Sequence, residues 1–492
     1  MITERLRKAA EQWPDRTACR IGGESITYRE LWQQASETAG LLRRQGTSPV
    51  ILHGDHGVWE ITAVLACLLS KRAYVPVGSA VPEKRYAETV RMAGATLVIS
   101  QREEGAHDSA IEAEVLTLPE LAGFRDNIEL NSDNETAYII FTSGSTGTPK
   151  GVPVSYANLD NFARWIGSFG PLAKYRELNV LNQAALGFDL SVADLYYALC
   201  NGHTWTAIPG GLAAAGDMAA GTSAADSSQE GTMTGVFANG NIHLAVLTPS
   251  ALKLCLIEET FTKENLPELK AIFCCGERLE KKPVRKLFAR FPDISLINAY
   301  GPTEATCAVC AVQITPEMTE AEGELPVGEI ASAATDITVS EGEIVLTGPS
   351  VFNGYLDGRD GGHFIENGVN GYRTGDGGYI CDGLLYYTGR NDSQVKYKGY
   401  RIDLDGIECA INRIAGVAEC AVIAKRNPDG IVKTIQAFAV PEKGSRCTPE
   451  SIRRELSEML PAYMIPKTVT VTESLPRNAN GKTDRKALER IC

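Results

Sequence analysis

The sequence predicts an α/β fold: a large N-terminal domain of α/β layers with a small β region, followed by a smaller α+β C-terminal domain. Three observations support this prediction: the length of 492 residues, the alternation of helical patterns with short apolar runs, and a change of pattern after Pro326. A chain of this length exceeds what one hydrophobic core usually supports, so we expect at least two domains. We place their boundary near Asp392, between residues 1–391 and residues 392–492.

The N-terminal part alternates helical stretches with short apolar runs. The first helix signal is a T-x-x-E capping box formed by Thr27 and Glu30, and Gly46 follows the end of the periodic pattern. The apolar runs are bounded by turn residues, which is typical of buried strands in an α/β sheet. These runs are YVPV, TLVIS, AYIIF, LAVLT, AIFCC and LINAY.

The C-terminal third has a different texture. After Pro326, alternating residues and frequent Gly, as in GEIVLTGPSV, predict antiparallel strands. Further on, CAVIAKR and TIQAFAVPE predict two strands, and Thr448 with Pro449 predicts the start of a helix. The Gly/Ala/Ser-rich segment 209–241 predicts an irregular surface connection rather than a functional lid.

Composition and charge exclude several classes of function. The formal net charge of −13 disfavours non-specific binding to nucleic acid, which requires a basic surface. No apolar stretch reaches the roughly 18 residues of a membrane span, and the charged N-terminus lacks the apolar core of a secretory signal. The 13 Cys are odd in number and scattered, which is typical of reduced thiols in a cytoplasmic protein.

Cys307 and Cys310 form a CxxC pair, with Cys274 and Cys275 upstream. A zinc site usually takes two such pairs, and adjacent cysteines converge poorly on one ion. A redox motif opens a helix, whereas the two residues within this pair continue an apolar, strand-like run. We therefore interpret these cysteines as small buried side chains, with a metal or redox role as the less favoured alternative.

The strongest local motif is TSGSTGTPKG, which follows an apolar strand. Its Gly residues let main-chain N–H groups approach a ligand closely, and its hydroxyls and Lys add donors and positive charge, which suits a polyphosphate. The loop does not fit the GxxxxGK[ST] pattern, which weakens a kinase or P-loop ATPase interpretation. The residues expected to bind phosphate are Thr142, Ser143, Gly144, Ser145, Thr146, Gly147 and Lys150.

Three shorter motifs carry complementary chemistry. NAYGPTE, residues 298–304, offers an aromatic face for a base, a hydroxyl for a phosphate and a carboxylate for Mg²⁺. Asp376 lies in a Gly-flanked turn, where it either bonds ribose hydroxyls or caps the turn. Lys482, in NGK near the C-terminus, is by itself typical of a solvated basic loop.

Together these motifs resemble those of the adenylate-forming enzymes, the superfamily of acyl-CoA synthetases, luciferases and nonribosomal-peptide adenylation domains. GFDLSV, LPAYMIP and NGKTDRKAL are similar to the amino-acid branch, and SYANLDNF and IFCCGE to stand-alone D-alanine–carrier protein ligases. Matching segments follow the expected order over nearly the whole chain: TSGSTGTPKG, GFDLSVADL, NAYGPTE, GEIVLTGPSVFNGYL, YRTGD, GRNDSQVKYKGYRIDL, LPAYMIP and NGKTDRKAL.

The resemblance implies a cytoplasmic enzyme that activates an amino acid with ATP and Mg²⁺ and transfers it to the phosphopantetheine thiol of a carrier protein. No carrier-domain signature follows Lys482, so we expect that carrier to be a separate protein. The C-terminal domain is expected to be a mobile lid that turns about a hinge at Asp392.

The resemblance also implies individual roles. Asp189 is expected to pair with the substrate ammonium, although a helix N-cap is the more modest interpretation of this residue alone. Lys482, Thr303 and Glu304 are expected to serve catalysis, with Glu304 holding the metal. Besides the phosphate loop, the residues expected to bind the nucleotide are Asn298, Ala299, Tyr300, Gly301, Thr303, Asp376, Arg390 and Lys482.

The side-chain pocket implied by the resemblance is apolar. Its walls are Leu190, Ala193, Ser250, Phe273, Cys275, Ala299, Cys307 and Ala308. In the D-alanine ligases Met, Thr and Val are usual where Ala193, Ala299 and Cys307 stand, so we expect a pocket roomier than a methyl group needs.

D-Alanine is the first candidate substrate, with Pro, Ser, Cys, Val or a β-amino acid as alternatives. A charged side chain is disfavoured because no wall residue is charged. An acyl-CoA ligase is a further alternative, which Asp189 disfavours because no ammonium would pair with it. A non-catalytic nucleotide-binding protein is disfavoured by the presence of all four motifs.

Overall fold

A computed structural model describes residues 1–55, 57–100, 114–116, 135–144, 148–208, 232–391, 394–427, 430–442, 444–445, 447–477 and 483–491. The chain divides into two compact units, of which the first contains residues 1–79, 92–140 and 151–389. The second contains residues 80–91, 141–150 and 390–492. The predicted hinge residue Asp392 lies outside the described residues, so the boundary at that position stays a prediction.

The α/β portion contains the first fourteen strands of the described chain, and each of the six predicted apolar runs falls on one of them. These strands are β1 (Thr17–Ile21), β2 (Glu24–Thr27), β3 (Val50–His53), β4 (Tyr74–Val77), β5 (Leu97–Ser100), β6 (Glu114–Leu116), β7 (Thr136–Thr142), β8 (Lys150–Ser155), β9 (Asn179–Asn182), β10 (Thr204–Ala207), β11 (Leu244–Leu247), β12 (Ala271–Cys274), β13 (Ser295–Tyr300) and β14 (Cys310–Ile314).

The helices of this portion follow the strands in alternation. They are α1 (Ile2–Gln12), α2 (Tyr28–Arg44), α3 (Val58–Ser70), α4 (Glu83–Ala93), α5 (Tyr156–Ser168), α6 (Gly170–Ala173), α7 (Leu190–Cys200), α8 (Met233–Asn239), α9 (Pro249–Ile257), α10 (Lys281–Arg290) and α11 (Pro316–Glu320). The predicted capping box begins α2: the Thr27 Oγ1 accepts from the Glu30 N–H at 3.3 Å, and Glu30 Oε2 accepts from the Thr27 N–H at 2.9 Å. None of the helices in the described ranges is long and apolar enough to cross a membrane.

Two largely parallel sheets organise these elements. One has the order β14-β13-β12-β11-β9-β10-β1-β2, with parallel pairing from β13 to β1 and antiparallel strands at both edges. The other has the order β6-β5-β3-β4-β7-β8, in which β4 and β7 run parallel with Tyr74 opposite Tyr138. Helices α3 and α7 are buried on nearly every side, as expected of helices packed inside an α/β core.

The β region after Pro326 is antiparallel, as predicted. Its strands are β15 (Gly328–Glu329), β16 (Asp336–Ser340), β17 (Glu343–Thr347), β18 (His363–Glu366), β19 (Val369–Cys381) and β20 (Leu384–Arg390). They pair in the order β15-β20-β19-β17-β16, with β18 on β19.

The C-terminal hundred or so residues form the α+β pattern that the sequence predicts. The elements are β21 (Gln394–Tyr397), β22 (Tyr400–Asp403), α12 (Leu404–Asn412), β23 (Val417–Arg426), β24 (Val432–Pro441), α13 (Pro449–Met459), β25 (Thr468–Val471) and α14 (Arg485–Ile491). Strands β23 and β24 pair antiparallel, and β24 and β25 pair parallel. The predicted N-cap of α13 is confirmed, since the Thr448 side chain accepts from the Ser451 N–H.

One prediction about the fold is wrong in part. The segment 209–241 was expected to be irregular throughout, but Met233–Asn239 forms α8, and Thr232 Oγ1 caps it by accepting from the Gly235 N–H at 2.9 Å. The helix forms because Met233 and Phe237 are buried in the core, and this burial outweighs the weak propensity of a Gly-rich sequence. Residues 209–231 lie outside the described residues.

Candidate active site

The predicted site motifs of the first unit meet at one edge of the larger sheet. Strands β11, β12 and β13 are parallel neighbours, so their carboxyl ends lie side by side. The NAYGPTE motif continues from the end of β13, and Cys275 directly follows the end of β12. In open α/β sheets, the edge formed by the carboxyl ends of the strands is the place where ligands bind.

The chain reverses sharply after β13. Thr303–Ala305 forms a single turn of 3₁₀ helix, and Thr306 and Cys307 follow with φ of 62° and 72°. Such left-handed backbone is strained for residues with a Cβ, and it is held by a hydrogen bond from Thr306 Oγ1 to the Ser350 carbonyl at 2.9 Å. The reversal returns Cys307 beneath the end of β13, where the Val309 N–H donates to the Tyr300 carbonyl at 2.8 Å.

This reversal requires a glycine at position 301. A Cβ on Gly301 would lie 2.5 Å from the Ala308 Cα and 2.7 Å from the Cys307 carbonyl oxygen. Both are main-chain atoms, which cannot rotate away, so we expect Gly301→Ala to destabilise the protein by about 1–3 kcal/mol. Thermal unfolding measures this. Gly170→Ala is the matched control, because its Cβ would meet nothing within 4 Å. Equal melting temperatures for the two variants would contradict the tight reversal.

Asp189 faces this reversal rather than capping its own helix. It precedes α7 at the N-cap position, but its φ of −60° and ψ of −26° are helical and its side chain makes no cap hydrogen bond. Instead, the Thr303 Oγ1 donates to Asp189 Oδ2 at 2.5 Å. The capping interpretation is therefore not supported, and the contact joins GFDLSV to NAYGPTE across 114 positions of the chain.

Seven of the eight predicted pocket walls lie in one continuous buried cluster: Leu190, Ala193, Phe273, Cys275, Ala299, Cys307 and Ala308. Burial raises the pKa of the Cys307 thiol well above its ordinary value, and the nearby charge of Asp189 and the Cys275 thiol raise this pKa further. The thiol is thus neutral and the wall uncharged. Ser250, the one polar wall residue, is half-buried in the first turn of α9, where its N–H donates to Glu277 Oε2 at 2.8 Å.

The other predicted cysteines behave as small buried side chains. The Cys310 Sγ points to the main-chain carbonyls of Tyr300 and Val327 at 4.0 and 3.8 Å. Burial raises the pKa of the Cys274 and Cys310 thiols, so both are protonated at neutral pH. Neutral thiols inside a packed core are poor metal ligands, which favours the buried-thiol interpretation.

Tyr300 and Asp376 form a buried pair. The Tyr300 hydroxyl donates to Asp376 Oδ2 at 2.7 Å, and the Asp376 N–H donates to Thr374 Oγ1 at 3.0 Å. Burial and the charge of Asp376 raise the pKa of Tyr300 well above its ordinary value, so this hydroxyl stays protonated and keeps donating. The pair fixes the Asp376 carboxylate beside the aromatic ring that ends β13.

Asn298 is buried at the same strand end with one half of its amide unsatisfied. Its Nδ2 donates to the Pro326 carbonyl at 2.8 Å. Its Oδ1 has no hydrogen-bond partner among the described residues, although the side chain is only 1% exposed. A buried acceptor left unpaired costs about 1–3 kcal/mol. A ligand that donates an N–H to Asn298 Oδ1 removes this cost when it binds.

Glu304 is held rigidly next to these residues. The Tyr355 hydroxyl donates to Glu304 Oε1 at 2.6 Å, and the Phe352 N–H donates to the Glu304 carbonyl at 2.9 Å. Tyr355 is a site residue that sequence reasoning missed; its motif, VFNGYL, was noted only as a family segment. A carboxylate oriented in this way can ligate a divalent cation, since Mg²⁺ prefers oxygen ligands.

The described part of the phosphate loop belongs to the second unit. Ser143 Oγ donates to the Arg401 carbonyl at 2.7 Å and accepts from the Asp403 N–H at 3.2 Å, so here the hydroxyl is used by the main chain. Gly144 has no room for a Cβ against the Thr148 carbonyl. Thr142 ends β7 and Lys150 begins β8, while Ser145, Thr146 and Gly147 lie outside the described residues. The phosphate-binding role of the loop stays a prediction.

Two further predicted site residues lie outside the described part of the chain, although their neighbours are described. Lys482 lies outside the described residues, next to Thr483, which pairs with Arg477 in an antiparallel bridge. Asp392 follows the end of β20 at Arg390, and it too lies outside them. The roles of Lys482, Arg390 and Asp392 therefore remain predictions.

Comparison with known proteins shows the family of this chain. Residues 6–356 match the AMP-binding enzyme family and residues 406–482 match the AMP-binding enzyme C-terminal domain. The chain belongs to the AMP-binding enzyme family and is an AMP-forming ligase, which confirms the resemblance found in its motifs. It is 36% identical to the D-alanine–D-alanyl carrier protein ligase of Listeria monocytogenes serotype 4a (strain HCC23), covering 99% of this chain and 98% of that protein.

Other relatives extend the comparison. The protein of the same name from Bacillus licheniformis is 34% identical, with 99% of each chain covered. Among solved structures, holo-PA1221, an NRPS protein containing adenylation and PCP domains, has a TM-score of 0.81 at 25% identity, covering 100% of this chain and 84% of that chain. The Vibrio cholerae adenylation domain AlmE, in complex with glycyl-adenosine-5'-phosphate, has a TM-score of 0.82 at 22% identity, covering 100% and 97%. These likenesses confirm the predicted fold class.

Proposed function

We propose that this enzyme activates the carboxylate of a small to medium, uncharged amino acid with ATP and transfers the aminoacyl group to the phosphopantetheine thiol of a separate carrier protein. One observation carries the proposal: the Asp189 carboxylate faces the NAYGPTE reversal through Thr303, beside a cluster of buried apolar side chains. The relatives that share 34–36% identity over 99% of this chain are named for D-alanine and its carrier protein.

The amino-acid end rests on Asp189. It is half-buried at the start of α7, and Ala193 and Cys307 of the uncharged wall lie next to it. A substrate ammonium gives this carboxylate a charge-assisted hydrogen bond, which offsets the cost of desolvating it. A carboxylic acid without an ammonium would leave that cost in place, so we favour an amino acid over the acyl-CoA ligase alternative.

The nucleotide end rests on the residues around β13. We assign Asn298 Oδ1 to the exocyclic amino group of adenine because, among the described residues, it is an unpaired buried acceptor. We assign the Tyr300 ring to the base and the Asp376 carboxylate beside it to the ribose. We assign the phosphates to the 142–150 loop because of its Gly, Ser and Thr residues and Lys150. Glu304 would hold Mg²⁺, which neutralises charge on the phosphates when it is bound.

The proposed chemistry has two steps. One carboxylate oxygen attacks the α-phosphorus of ATP, the bond to the bridging oxygen breaks, and pyrophosphate leaves. The carrier thiolate, having given its proton to solvent, then attacks the carbonyl carbon, and AMP leaves. We assign Lys482 to the reacting oxygens in the first step, and we assign Asp392 as the hinge about which residues 392–492 turn between the steps.

D-Alanine is the first substrate to test because of the names of the relatives. Ala193 and Ala299 argue for a pocket with more room than a methyl group fills, so Ser, Cys, Val, Pro and small β-amino acids are the alternatives. Two substrates that differ by one methylene in an apolar pocket differ in kcat/KM by only about 10–200-fold. Several of these amino acids are therefore expected to react measurably.

The test is pyrophosphate exchange with a panel that contains both enantiomers of these amino acids, their desamino analogues, and Asp, Glu, Lys and Arg. We expect exchange with small uncharged amino acids, followed by loading of a phosphopantetheinylated carrier protein supplied in trans. Exchange confined to desamino acids would overturn the amino-acid assignment. A preference for a charged side chain would contradict the assignment of an uncharged pocket. Adenylation without loading of any carrier would contradict the proposed transfer step.

Tyr355 offers a test of the metal assignment. Its buried hydroxyl donates to Glu304 Oε1 at 2.6 Å, so Tyr355→Phe is expected to raise the Mg²⁺ concentration for half-maximal exchange by about 10-fold or more. Activity at saturating Mg²⁺ should largely recover. Tyr379→Phe is the matched control, because Tyr379 is exposed on β19. An unchanged Mg²⁺ dependence in Tyr355→Phe would show that Glu304 does not hold the metal.

A further inference from the structure

Residues 183–188 join β9 to Asp189 and form neither helix nor strand. Main-chain carbonyls in such a segment lack the partners that a helix or a sheet supplies, so side chains must hold them if the segment is to keep one conformation. The end of the segment is held from within α7, because Ser191 Oγ donates to the Phe188 carbonyl at 2.7 Å. The start of the segment is held by a different group.

That group is the amide of Asn182, the last residue of β9. Its Nδ2 donates to the Ala184 carbonyl at 3.0 Å, and it also donates to both carboxylate oxygens of Asp194, at 3.0 Å each. The Asn182 and Asp194 side chains are 2% and 0% exposed, so water does not compete for these bonds. The carboxylate therefore determines which way the Asn182 amide faces, and so directs an N–H toward Ala184.

Asp194 acts as an acceptor in this network. The Trp205 Nε1, on β10, donates to its Oδ1 at 2.6 Å, and Asn182 supplies its other side-chain donor. Both partners are neutral, and a buried carboxylate without a cation is costly. An apolar residue would fill a core position of α7 without that cost, so the carboxylate calls for an explanation beyond packing.

We propose that Asp194 is a positioning residue for Asp189. It orients the Asn182 amide, which holds the start of segment 183–188, and the segment in turn presents the Asp189 carboxylate to Thr303. The inference rests on the proposed function, in which Asp189 pairs with the substrate ammonium. Asp194 lies on the helix that follows Asp189, so its bond to Asn182 connects the chain before Asp189 to the chain after it.

Asp194→Asn tests this role at nearly constant volume. The new Oδ1 can still accept from Trp205, but the new Nδ2 places a donor opposite the Asn182 donor. The Asn182 amide is expected to turn over so that its oxygen faces residue 194, and the Ala184 carbonyl then loses its hydrogen bond. A binding group displaced by about 1 Å can cost about 100-fold in rate, so the Asp189 pairing should weaken markedly.

The measurement is pyrophosphate exchange with the best amino acid and with its desamino analogue. In Asp194→Asn, we expect the KM for the amino acid to rise about 10-fold or more while the KM for ATP changes little. The desamino analogue has no ammonium to pair with Asp189, so its kcat/KM should stay near the wild-type value. The ratio of the two kcat/KM values should therefore fall about 10-fold or more.

Trp205→Phe is the matched control. It removes the other side-chain donor to Asp194 but leaves Asn182 and its bond to Ala184. Both variants should lower the melting temperature, because each loses a buried hydrogen bond, but only Asp194→Asn should lower the ratio. An equal fall in Trp205→Phe would overturn the inference, since lost stability rather than the tie to Ala184 would then explain the effect.

A double variant tests whether Asp194 acts through Asp189. Once Asp189→Asn has removed the ammonium partner, adding Asp194→Asn should lower the ratio no further, because residues that act through one another are not additive. Two independent falls that multiply would overturn the inference. They would show that Asp194 affects selectivity by another route.

Asn182→Ser guards against a folding defect in Asp194→Asn. It shortens the side chain that reaches Ala184 and leaves the Asp194 carboxylate with its bond from Trp205, and the ratio should fall here as well. An unchanged ratio in either variant, in an enzyme that exchanges amino acids, would overturn the inference and leave the proposed function intact. A wild-type enzyme that exchanges only desamino acids would overturn the proposed function and this inference with it.

Discussion

Replacing Asp189 by Asn is expected to lower kcat/KM for the amino acid by about 100–1000-fold, while the KM for ATP changes little. The Asn side chain keeps the size of Asp and can still accept from the Thr303 hydroxyl, so the NAYGPTE reversal should remain in place. Only the negative charge is lost, and with it the charge-assisted bond to the ammonium. The measurement is pyrophosphate exchange over a range of amino-acid concentrations.

The informative readout for Asp189→Asn is selectivity. The desamino analogue of the best substrate should exchange as well in the variant as in the wild type, or better, because no ammonium is needed. Asp293→Asn is the matched control, an exposed carboxylate just before β13 and far from the carboxyl ends of the strands. Equal losses for the amino acid and its desamino analogue would mean that Asp189 only supports the reversal through Thr303.

Replacing Lys482 by Ala is expected to lower kcat for adenylation by about 100–1000-fold, the usual cost of removing a group that stabilises developing charge. Described residues on either side of it are held in place: Arg477 pairs with Thr483, and Arg477 Nη2 is 2.5 Å from Glu419 Oε2. Loss of one ammonium should therefore leave the fold of the second unit intact. Pyrophosphate exchange measures the first step, and thermal unfolding checks the fold.

The two half-reactions separate the role of Lys482 from a general defect. Transfer from a preformed aminoacyl adenylate to the carrier should proceed nearly as fast in Lys482→Ala as in the wild type, since the proposed turn about Asp392 withdraws Lys482 from the thiolation step. Lys433→Ala, at an exposed position on β24, is the matched control. If Lys482→Ala leaves adenylation undiminished, the assignment of Lys482 is wrong.

Local patterns predicted most of the elements because short-range physics decides them. The Thr27–Glu30 box and the Thr448–Pro449 start both form as expected, since a side chain three residues away satisfies the orphan N–H groups of a helix wherever the helix packs. The helix at Met233–Asn239, which the sequence analysis did not predict, also has a physical cause. Burial of Met233 and Phe237 depends on partners far along the chain, which composition does not reveal.

The candidate site, too, was predicted from the sequence only in part. Motif spacing predicted which residue types would serve a nucleotide and an amino acid, and the structure brings Asp189, Thr303 and Cys307 together. Sequence reasoning did not single out Tyr355, because an aromatic residue within an apolar turn resembles any other core residue. Only the position of its hydroxyl distinguishes it, and that position depends on packing.

The sequence by itself determined the α/β class, most helices and strands along the chain, and the family, since hydrophobic period, caps and ordered motifs are properties of neighbouring residues. Tertiary structure alone decided which side chain meets which. Examples are the left-handed turn at Thr306 and Cys307, the contact of Asp189 with Thr303, and the hydroxyl of Tyr138, which is unpaired among the described residues. Each arises where segments distant in sequence pack together in the fold. Those long-range contacts decide which side chains surround Asp189, and the order of residues along the chain does not reveal them.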